Sequence, residues 1–278
     1  MSAPTIRPPF AYYGGKTNIA DGIAAMLPAH QHYVEPFAGS LAVLLAKSPS
    51  KMETANDIDG NLMHFWRILR DRPDELLRAC ALTPHSRAEL EASRDLENCG
   101  DVERARRVWV WLSQARTGTM RRTGWRFFID PGGSSIGMPA YLDGYVDRMA
   151  SVAERLHKVS LENRPALELI DAYGSHPDTL LYCDPPYLAG VRSGQNYARE
   201  MSGVDEHRLL AEALNGCAAA VVVSGYDSPQ YAEAFKGWDR AEIRTGNGQG
   251  GTYRATVEVL WSNRSLDVQR DLFSAGAS

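Results

Sequence analysis

The chain alternates between two spacings of apolar residues. Six short runs have the length and composition of buried strands, and they cover residues 32–37, 53–57, 159–161, 180–183, 219–224 and 258–261. Apolar residues at helical spacing precede the first run at 19–26 and follow the first two runs at 41–46 and 61–70. Because strands that alternate with helices favour a parallel sheet covered by helices, the pattern predicts an α/β domain.

The pattern changes between about residues 73 and 157. This stretch is mainly helical by its spacing, and a glycine-rich run at 131–135 separates an arginine-rich helix from another helix at 145–157. We therefore predict an α/β domain formed by residues 1–72 and 158–278, with a mainly helical domain inserted at 73–157. A second glycine-rich run, 246–251, is expected to be a loop, because no helix clearly follows it.

The composition favours a globular protein without a membrane helix, a metal site or a broadly basic surface. Of the 278 residues 44% are hydrophobic and the formal net charge is −4, so a large core can form and any nucleic-acid surface must be local. No apolar stretch approaches the roughly 20 residues of a membrane helix, so no membrane contact is expected. The four cysteines make no CxxC pair, which predicts reduced thiols in a cytoplasmic protein and no metal site.

The sequence Asp184-Pro185-Pro186-Tyr187 directly follows the apolar run 180–183. The prolines carry no N–H, so the carbonyls beside the Asp184 carboxylate stay free as acceptors, and Tyr187 offers a flat ring. Acceptors beside an aromatic ring suit the amino group of a nucleobase. Taken alone, these four residues fit an ordinary proline turn at the end of a strand equally well.

A second signal lies at residues 34–40, where a strand ends in a turn of small residues that opens a helix. In a doubly wound sheet this is the first crevice for a ligand, and Gly39 allows close approach of the backbone. Asp57, at the end of the next strand, is placed to bind the two hydroxyls of a ribose. The pattern GxGxxG is missing, which favours a nucleoside cofactor without a pyrophosphate. A plain turn and a solvated acid would fit these residues too.

A third segment, Tyr-Tyr-Gly-Gly-Lys at 12–16, brings a glycine pair and a positive charge together, and alone it fits a flexible N-terminal turn. Taken in their order along the chain, these segments resemble those of the Dam-type (D12 class) DNA adenine-N6 methyltransferases. Residues 12–16 resemble that family's Trp-Ala-Gly-Gly-Lys, 35–40 its Glu-Pro-Phe-x-Gly-x, 56–62 its Asn-Asp-x-Asn-x-x-Leu, and 184–187 its catalytic turn. The resemblance covers roughly 8–72 and 158–263, and the insertion falls where this family carries its target-recognition domain.

The resemblance implies a Rossmann-like class I methyltransferase sheet with helices on both faces, and S-adenosylmethionine as cofactor. Lys16 would meet the methionine carboxylate and Asp57 would hold the ribose, with Asp59 as its rival. The implied cofactor-binding residues are Tyr12, Gly14, Gly15, Lys16, Glu35, Phe37, Gly39, Asp57 and Asp184. Two positions depart from the family: Tyr12 replaces a Trp, and Ser40 follows Gly39 where many relatives lead to a second Gly.

The same resemblance implies catalysis by Asp184, Pro185, Pro186 and Tyr187. Asp184 and the Pro185 carbonyl would accept the two hydrogens of an adenine amino group, while Tyr187 would stack on the flipped base. The amino nitrogen would then attack the methyl group in line, with no covalent enzyme intermediate.

Recognition of double-stranded DNA is expected of the insertion. From residue 101 to 127 seven arginines face two acids, an excess that suits phosphate contacts. Arginine reads guanine and glutamine reads adenine, while aromatic rings can wedge or stack. The expected contacts are Gln114, Arg116, Arg121, Arg122, Trp125 and Arg126, although a solvated basic helix with core aromatics would give the same pattern.

Other interpretations stay open from the sequence. The same turn could methylate cytosine N4, or an RNA or protein amine, and a non-catalytic DNA-binding relative could keep the fold. The order of the motifs favours adenine. A cognate restriction endonuclease is an open partner, and a monomer is the default expectation.

Overall fold

The computed structural model describes residues 6–127, 136–186, 203–249 and 252–266. Its centre is a seven-stranded sheet in the order β3-β2-β1-β4-β5-β7-β6. The strands are β1 (His32–Glu35), β2 (Met52–Asn56), β3 (Val159–Glu162), β4 (Thr179–Cys183), β5 (Ala220–Gly225), β6 (Asp239–Gln249) and β7 (Thr252–Ser262). The first five strands pair in parallel, and β7 runs antiparallel to both β5 and β6.

Ten helices accompany these strands in the described part of the chain. They are α1 (Ala20–Met26), α2 (Ala42–Ala46), α3 (Gly60–Asp71), α4 (Pro73–Ala81), α5 (Arg87–Ala92), α6 (Asp101–Gln114), α7 (Met138–Leu156), α8 (Ala166–Gly174), α9 (Val204–Asn215) and α10 (Pro229–Ala234). None of the helices in the described ranges is long and apolar enough to cross a membrane.

Alternation along the strands sends side chains to two hydrophobic clusters, one on each face of the sheet. Along β4, Leu180 and Tyr182 belong to the cluster that includes α1–α4, α6 and α7, whereas Leu181 and Cys183 belong to the cluster beneath α8–α10. Helices therefore cover both faces. The predicted α/β fold of the class I methyltransferase type is confirmed.

The stretch 73–157 holds α4 to α7, as its spacing predicted, but it packs closely on the sheet. Met149 and Val152 of α7 are buried in the same cluster as the β1 residue Tyr33. The indole Nε1 of Trp109 donates to the carbonyl of Pro9 at 2.8 Å, which ties α6 to the N-terminal segment. The division into two domains stays a prediction.

Helix α7 and strand β6 differ from the sequence prediction. Helix α7 begins at Met138, seven residues before the predicted start, since Met138 and Leu142 continue the buried stripe of Tyr145 and Met149. The expected loop at 246–251 is wrong as far as it is described: residues 246–249 belong to β6, paired with β7. Pairing with β7 satisfies the backbone hydrogen bonds of this polar, glycine-rich stretch. Its sequence has no apolar pattern from which a strand could be predicted.

Candidate active site

The sheet order reverses between β1 and β4, and a cavity of ≈ 620 Å³ opens at the carboxyl ends of these two strands. Crevices at such reversals are the usual ligand sites of open α/β sheets. The wall combines the 12–16 segment, the turn after β1, the end of β2 and the start of the Asp184 turn. The four segments selected from the sequence therefore meet around one space.

The turn after β1 is held in one shape by its neighbours. The carbonyl of Gly39 accepts the indole N–H of Trp66 at 3.1 Å, and the N–H of Gly39 donates to Asp57 Oδ2 at 2.9 Å. Gly39 has φ +47°, and a Cβ there would lie 2.9 Å from the Tyr12 ring. Only glycine fits, because both the backbone angle and the packed ring exclude a side chain.

Glu35, the last residue of β1, is buried beside this turn. Its Oε1 accepts the Tyr33 hydroxyl at 2.6 Å and the Leu44 N–H at 2.9 Å. Burial raises the pKa of the Glu35 carboxyl to about 8, although these two hydrogen bonds oppose the shift. Glu35 is therefore mainly protonated at pH 7, and it presents a neutral carboxyl to the cavity.

Asp57 and Asp59 both reach the cavity wall, but they are used differently. Asp59 Oδ1 accepts the N–H groups of Asn61 and Leu62, so this carboxylate caps α3. Asp57 accepts the N–H groups of Gly39 and Asp59, one on each oxygen. Burial raises the pKa of Asp57 to about 6, against these two bonds, so the carboxylate is charged at pH 7 and retains acceptor capacity.

Lys16 contacts two carboxylates, Asp184 and Glu258, that the sequence did not indicate as its partners. Its Nζ lies 2.6 Å from both Oδ1 and Oδ2 of Asp184, and 3.5 Å from Oε1 of Glu258 on β7. Lys16 and Glu258 are almost fully buried, whereas the Asp184 side chain is 20% exposed. A buried ammonium needs carboxylate partners, and Asp184 directly after β4 and Glu258 within β7 supply them.

The Asp184 turn leaves a fully buried strand, β4, and Asp184 and Pro186 line the cavity. The neighbouring thiol of Cys183 points into the core, and burial raises its pKa far above the usual value. A thiol held neutral is a poor nucleophile, which fits the expectation of no covalent intermediate. Tyr187, the fourth residue of the turn, lies outside the described residues.

A family comparison decides the class of protein. The model of the "D12 class N6 adenine-specific DNA methyltransferase" family matches residues 12–246. The chain belongs to this family. The predicted Dam-type resemblance is confirmed, and the protein is a DNA adenine methyltransferase whose methyl donor is S-adenosylmethionine.

Relatives of this methyltransferase include the DNA adenine methylases of Vibrio cholerae serotype O1, 21% identical over 81% of this chain and 83% of theirs, and of Escherichia coli K12, 23% identical over 89% and 91%. Similar solved structures include precorrin 8W decarboxylase from Methanobacterium thermoautotrophicum, with a TM-score of 0.41 and 10% identity over 92% of this chain and 98% of that one. Another is the rRNA methyltransferase aviRa from Streptomyces viridochromogenes, with a TM-score of 0.37 and 11% identity over 94% and 87%.

The cavity of the methyltransferase fits the chemistry of the donor. S-adenosylmethionine supplies an electrophilic methyl group on a sulfonium, with a ribose and a charged methionine end. Asp57 offers acceptors for hydroxyl groups, and the Asp184 carboxylate lies beside Lys16 on the same wall. Within the described ranges there is no group of three or more His, Cys, Asp or Glu side chains that could hold a metal ion.

The residues expected to contact DNA lie in two settings. Arg116 and Arg122 are exposed on a loop closed by the bridge between Ala115 and Trp125. The Trp125 ring stacks on His85 with a centroid distance of 4.3 Å, and Phe127 continues the stack at 5.5 Å. Arg121 and Arg126 are half-buried beside the same loop.

Gln114 does not suit the expected base contact. Its side chain is completely buried, its Nε2 donates to the Pro84 carbonyl and its Oε1 accepts the Ser86 N–H. The amide is occupied in tying α6 to the segment before α5, a role that sequence spacing does not reveal.

Part of the arginine excess on α6 is also used within the fold. Arg104 donates to Asn61 Oδ1 at 2.6 Å, Arg106 pairs with Glu89 and Glu103, and Arg107 pairs with Glu103. Counting charges along the sequence therefore overstated the positive charge that this helix offers to phosphates.

Several wall residues were not selected from the sequence. The start of α8 contributes Pro165, Ala166 and Leu167, and α9 contributes Glu206, Leu209 and Leu210. The first group follows β3 at the same edge of the sheet, so strand order would have found it. Glu258, which contacts the wall residue Lys16, had no such signal, because it lies inside strand β7.

Proposed function

We propose that this chain methylates N6 of adenine at one short recognition site in double-stranded DNA, acting as a monomer. The observation that carries the proposal is the convergence, in one chain and one cavity, of Lys16, Asp57 and Asp184 at the carboxyl ends of the strands. The turn 184–186 provides acceptors, which an exocyclic amine requires.

Asp184 and the Pro185 carbonyl accept the two amino hydrogens of a flipped adenine in this proposal. These bonds favour a tetrahedral nitrogen and localise its lone pair, which is otherwise delocalised into the ring. S-adenosylmethionine would supply the methyl group, so that an N–C bond to N6 would replace the C–S bond, whose electrons would stay on sulfur. N6 would carry the positive charge and would lose a proton to water. Tyr187 is proposed to stack on the base, and Pro186 to keep the turn rigid.

Cofactor contacts are proposed for the residues that build the wall. Asp57 would bind the ribose hydroxyls, since Asp59 is occupied as a helix cap. Tyr12, Phe37 and the Gly14–Gly15 turn would pack on the cofactor, and Glu35 and Gly39 would keep the β1 turn in place. Lys16 would meet the methionine carboxylate beside Asp184, which would be a third anion next to the two carboxylates, Asp184 and Glu258, that its ammonium already contacts.

DNA contacts are proposed for the loop closed by Ala115 and Trp125. Its exposed Arg116 and Arg122, with the half-buried Arg121 and Arg126, would contact phosphates and base edges, and Trp125 would support the Phe127 ring, which is 50% exposed. The guanidinium of Arg87 lies 4.9 Å from the Trp125 ring centroid and strengthens this basic, aromatic surface. Gln114 is left out of the contact set because its amide is buried.

Sequencing of unmethylated DNA after incubation with the protein and S-adenosylmethionine tests the function, using a method that distinguishes modified bases. We expect N6-methyladenine at one short motif, and at least a ~1,000-fold loss in an Asp184→Ala variant that still binds cofactor. The same motif would be the site that a cognate restriction endonuclease cuts.

Marks on cytosine N4 would overturn the choice of base while keeping the acceptor mechanism. Cofactor binding without any mark on DNA would overturn the function and favour an RNA, a protein or a purely binding role. Cofactor affinity, measured by calorimetry on both proteins, separates these outcomes from a misfolded preparation.

A further inference from the structure

Glu258 is a buried carboxylate that the methyl-transfer mechanism does not yet use. It lies inside β7, opposite Ile243 of β6, and its side chain is 5% exposed. Because β7 pairs antiparallel with β5, and Val259 faces Gly225 at the end of that strand, Glu258 reaches the same edge of the sheet as Asp184. Burying a carboxylate is costly, so a partner is required.

Lys16 is such a partner, and it contacts two carboxylates. Its Nζ lies 2.6 Å from each oxygen of Asp184 and 3.5 Å from Oε1 of Glu258. One ammonium is thus shared by Asp184 and Glu258. With the charge of Glu258 removed, Asp184 would be the only one of these two carboxylates left to hold the ammonium.

This difference matters for the reaction. Positive charge that develops on N6 would lie close to Asp184. An Asp184 carboxylate that shares Lys16 with Glu258 is neutralised less by the ammonium and would stabilise that charge more. Glu258 also offers Lys16 a second acceptor, so that an Asp184 oxygen can turn toward the amino hydrogens.

We propose that Glu258 is a positioning residue for methyl transfer, which holds Lys16 between two carboxylates and keeps Asp184 available as a negatively charged acceptor. This inference rests on the proposed function. Glu258 acts through Lys16 and Asp184, and no contact with the substrate is assigned to it.

The test compares Glu258→Gln, which keeps the shape and removes the charge, with Glu258→Asp, which keeps the charge and shortens the side chain. We expect the single-turnover methylation rate of Glu258→Gln to fall about 30-fold, with Kd for S-adenosylmethionine changed less than about threefold. Glu258→Asp should recover a large part of the lost rate. Glu242→Gln is the matched control, since Glu242 lies on β6 opposite Val259, pairs with Arg240 and is exposed, and its rate should equal that of the wild type.

Two results would overturn the inference. One is a Glu258→Gln rate equal to that of the wild type. The other is a Glu258→Asp rate no higher than that of Glu258→Gln, which would mean that shape matters and charge does not. If Glu258→Gln fails to bind cofactor, the aspartate variant decides alone. A normal Kd with a rate within about threefold of the wild type supports the inference, because the charge is kept, and a rate about 30-fold below the wild type overturns it. Absence of DNA methylation by the wild type would instead overturn the proposed function.

Discussion

Two buried charge clusters lie at opposite ends of the sheet, and they are built differently. At the amino ends of the strands, Glu53 of β2 is enclosed by Lys47 and Arg155. At the carboxyl ends, Lys16 is shared between Asp184 and Glu258. In the first cluster two cations contact one carboxylate, whereas in the second one cation contacts two carboxylates.

The two clusters differ in how many hydrogen bonds their carboxylates already accept within the fold. Glu53 Oε1 accepts from Lys47 at 2.7 Å, from Arg155 at 2.8 Å and from the Ser50 N–H at 3.0 Å, while Oε2 accepts from Arg155. Burial raises the pKa of Glu53, but the hydrogen bonds from Arg155 and Lys47 outweigh it and hold the pKa below its usual value. This carboxylate is saturated. Asp184 has one cation and a face on the cavity, so it can still bind a substrate.

Glu35 lies between the two clusters and is influenced by both. Burial is the main cause of its raised pKa, and among the weaker influences Lys47 lowers that pKa while Asp184 raises it. A neutral Glu35 thus lies between the charged cluster around Glu53 and the charged cluster around Lys16.

Three predictions test the comparison of these two clusters.

The largest effect is expected in the structural cluster. Glu53→Gln would leave the two buried cations, Lys47 and Arg155, without their carboxylate, and we expect a loss of about 3–5 kcal/mol in the free energy of unfolding. Urea unfolding measures it. The folded variant should methylate DNA at close to the wild-type rate, because the cavity is lined by other residues.

Asp184→Asn is the matched change in the reactive cluster. We expect it to shift the free energy of unfolding by under about 1 kcal/mol, since Lys16 keeps Glu258 as a partner and Asp184 is partly exposed. A stability loss as large as that of Glu53→Gln would show that the two clusters do not differ in the way proposed.

The second effect is a pH dependence that belongs to Glu35. A carboxyl whose pKa rises from 4.5 unfolded to about 8 folded contributes stability that is complete below pH 4.5 and is lost as the pH rises through 8. The folded chain binds one proton more in this window. Relative to Glu35→Gln, the wild type should therefore lose up to about 1.4 kcal/mol of stability per pH unit between pH 5 and pH 8.

Unfolding of both proteins in urea, in the absence of S-adenosylmethionine, measures this slope. Asp57, with a folded pKa of about 6, adds a slope of the same sign at lower pH, but it is present in both proteins and cancels in the comparison. Parallel curves for the two proteins would mean that Glu35 is ionised in the fold.

The sequence predicted the reactive cluster only in part, for a physical reason. Gly39, Asp57 and Asp184 follow strands, and the ends of parallel strands converge, so their proximity can be inferred from order along the chain. The contact between Lys16 and Glu258 depends on the antiparallel strand β7. The partner of β7 in the sheet is β6 (Asp239–Gln249), which contains too few apolar residues to be predicted as a strand. Long-range pairing of polar strands leaves no periodic signal.

The burial of Gln114 could not be predicted from the sequence for a related reason. A glutamine at the end of a basic helix looks available to a base, and only packing of α6 against the segment before α5 reveals that its amide is buried. The helices α3 and α6, by contrast, followed from local spacing, because one face of each is apolar.

The smallest effect is expected where the proposed recognition loop meets the segment that carries Lys16. The carbonyl of Gly118 accepts the Tyr13 N–H at 3.0 Å, so the loop closed by Ala115 and Trp125 is fixed to the turn before Lys16. Gly118 has φ +59°, and a Cβ there would lie 2.8 Å from the Ala11 carbonyl oxygen. Gly118→Ala should cost about 1–2 kcal/mol of stability, since both the backbone angle and the contact oppose it.

Gly144→Ala is the control, because Gly144 lies within α7 and a Cβ there meets nothing within 4 Å. Alanine is the better helix former, so this variant should gain up to about 1 kcal/mol. If the loop and the Lys16 segment act as one unit, Gly118→Ala should also weaken cofactor binding, whereas Gly144→Ala should not. Calorimetric titration with S-adenosylmethionine decides this point: equal affinities in both variants, with the stability loss present, would mean that the loop is attached to the reactive cluster without influencing it.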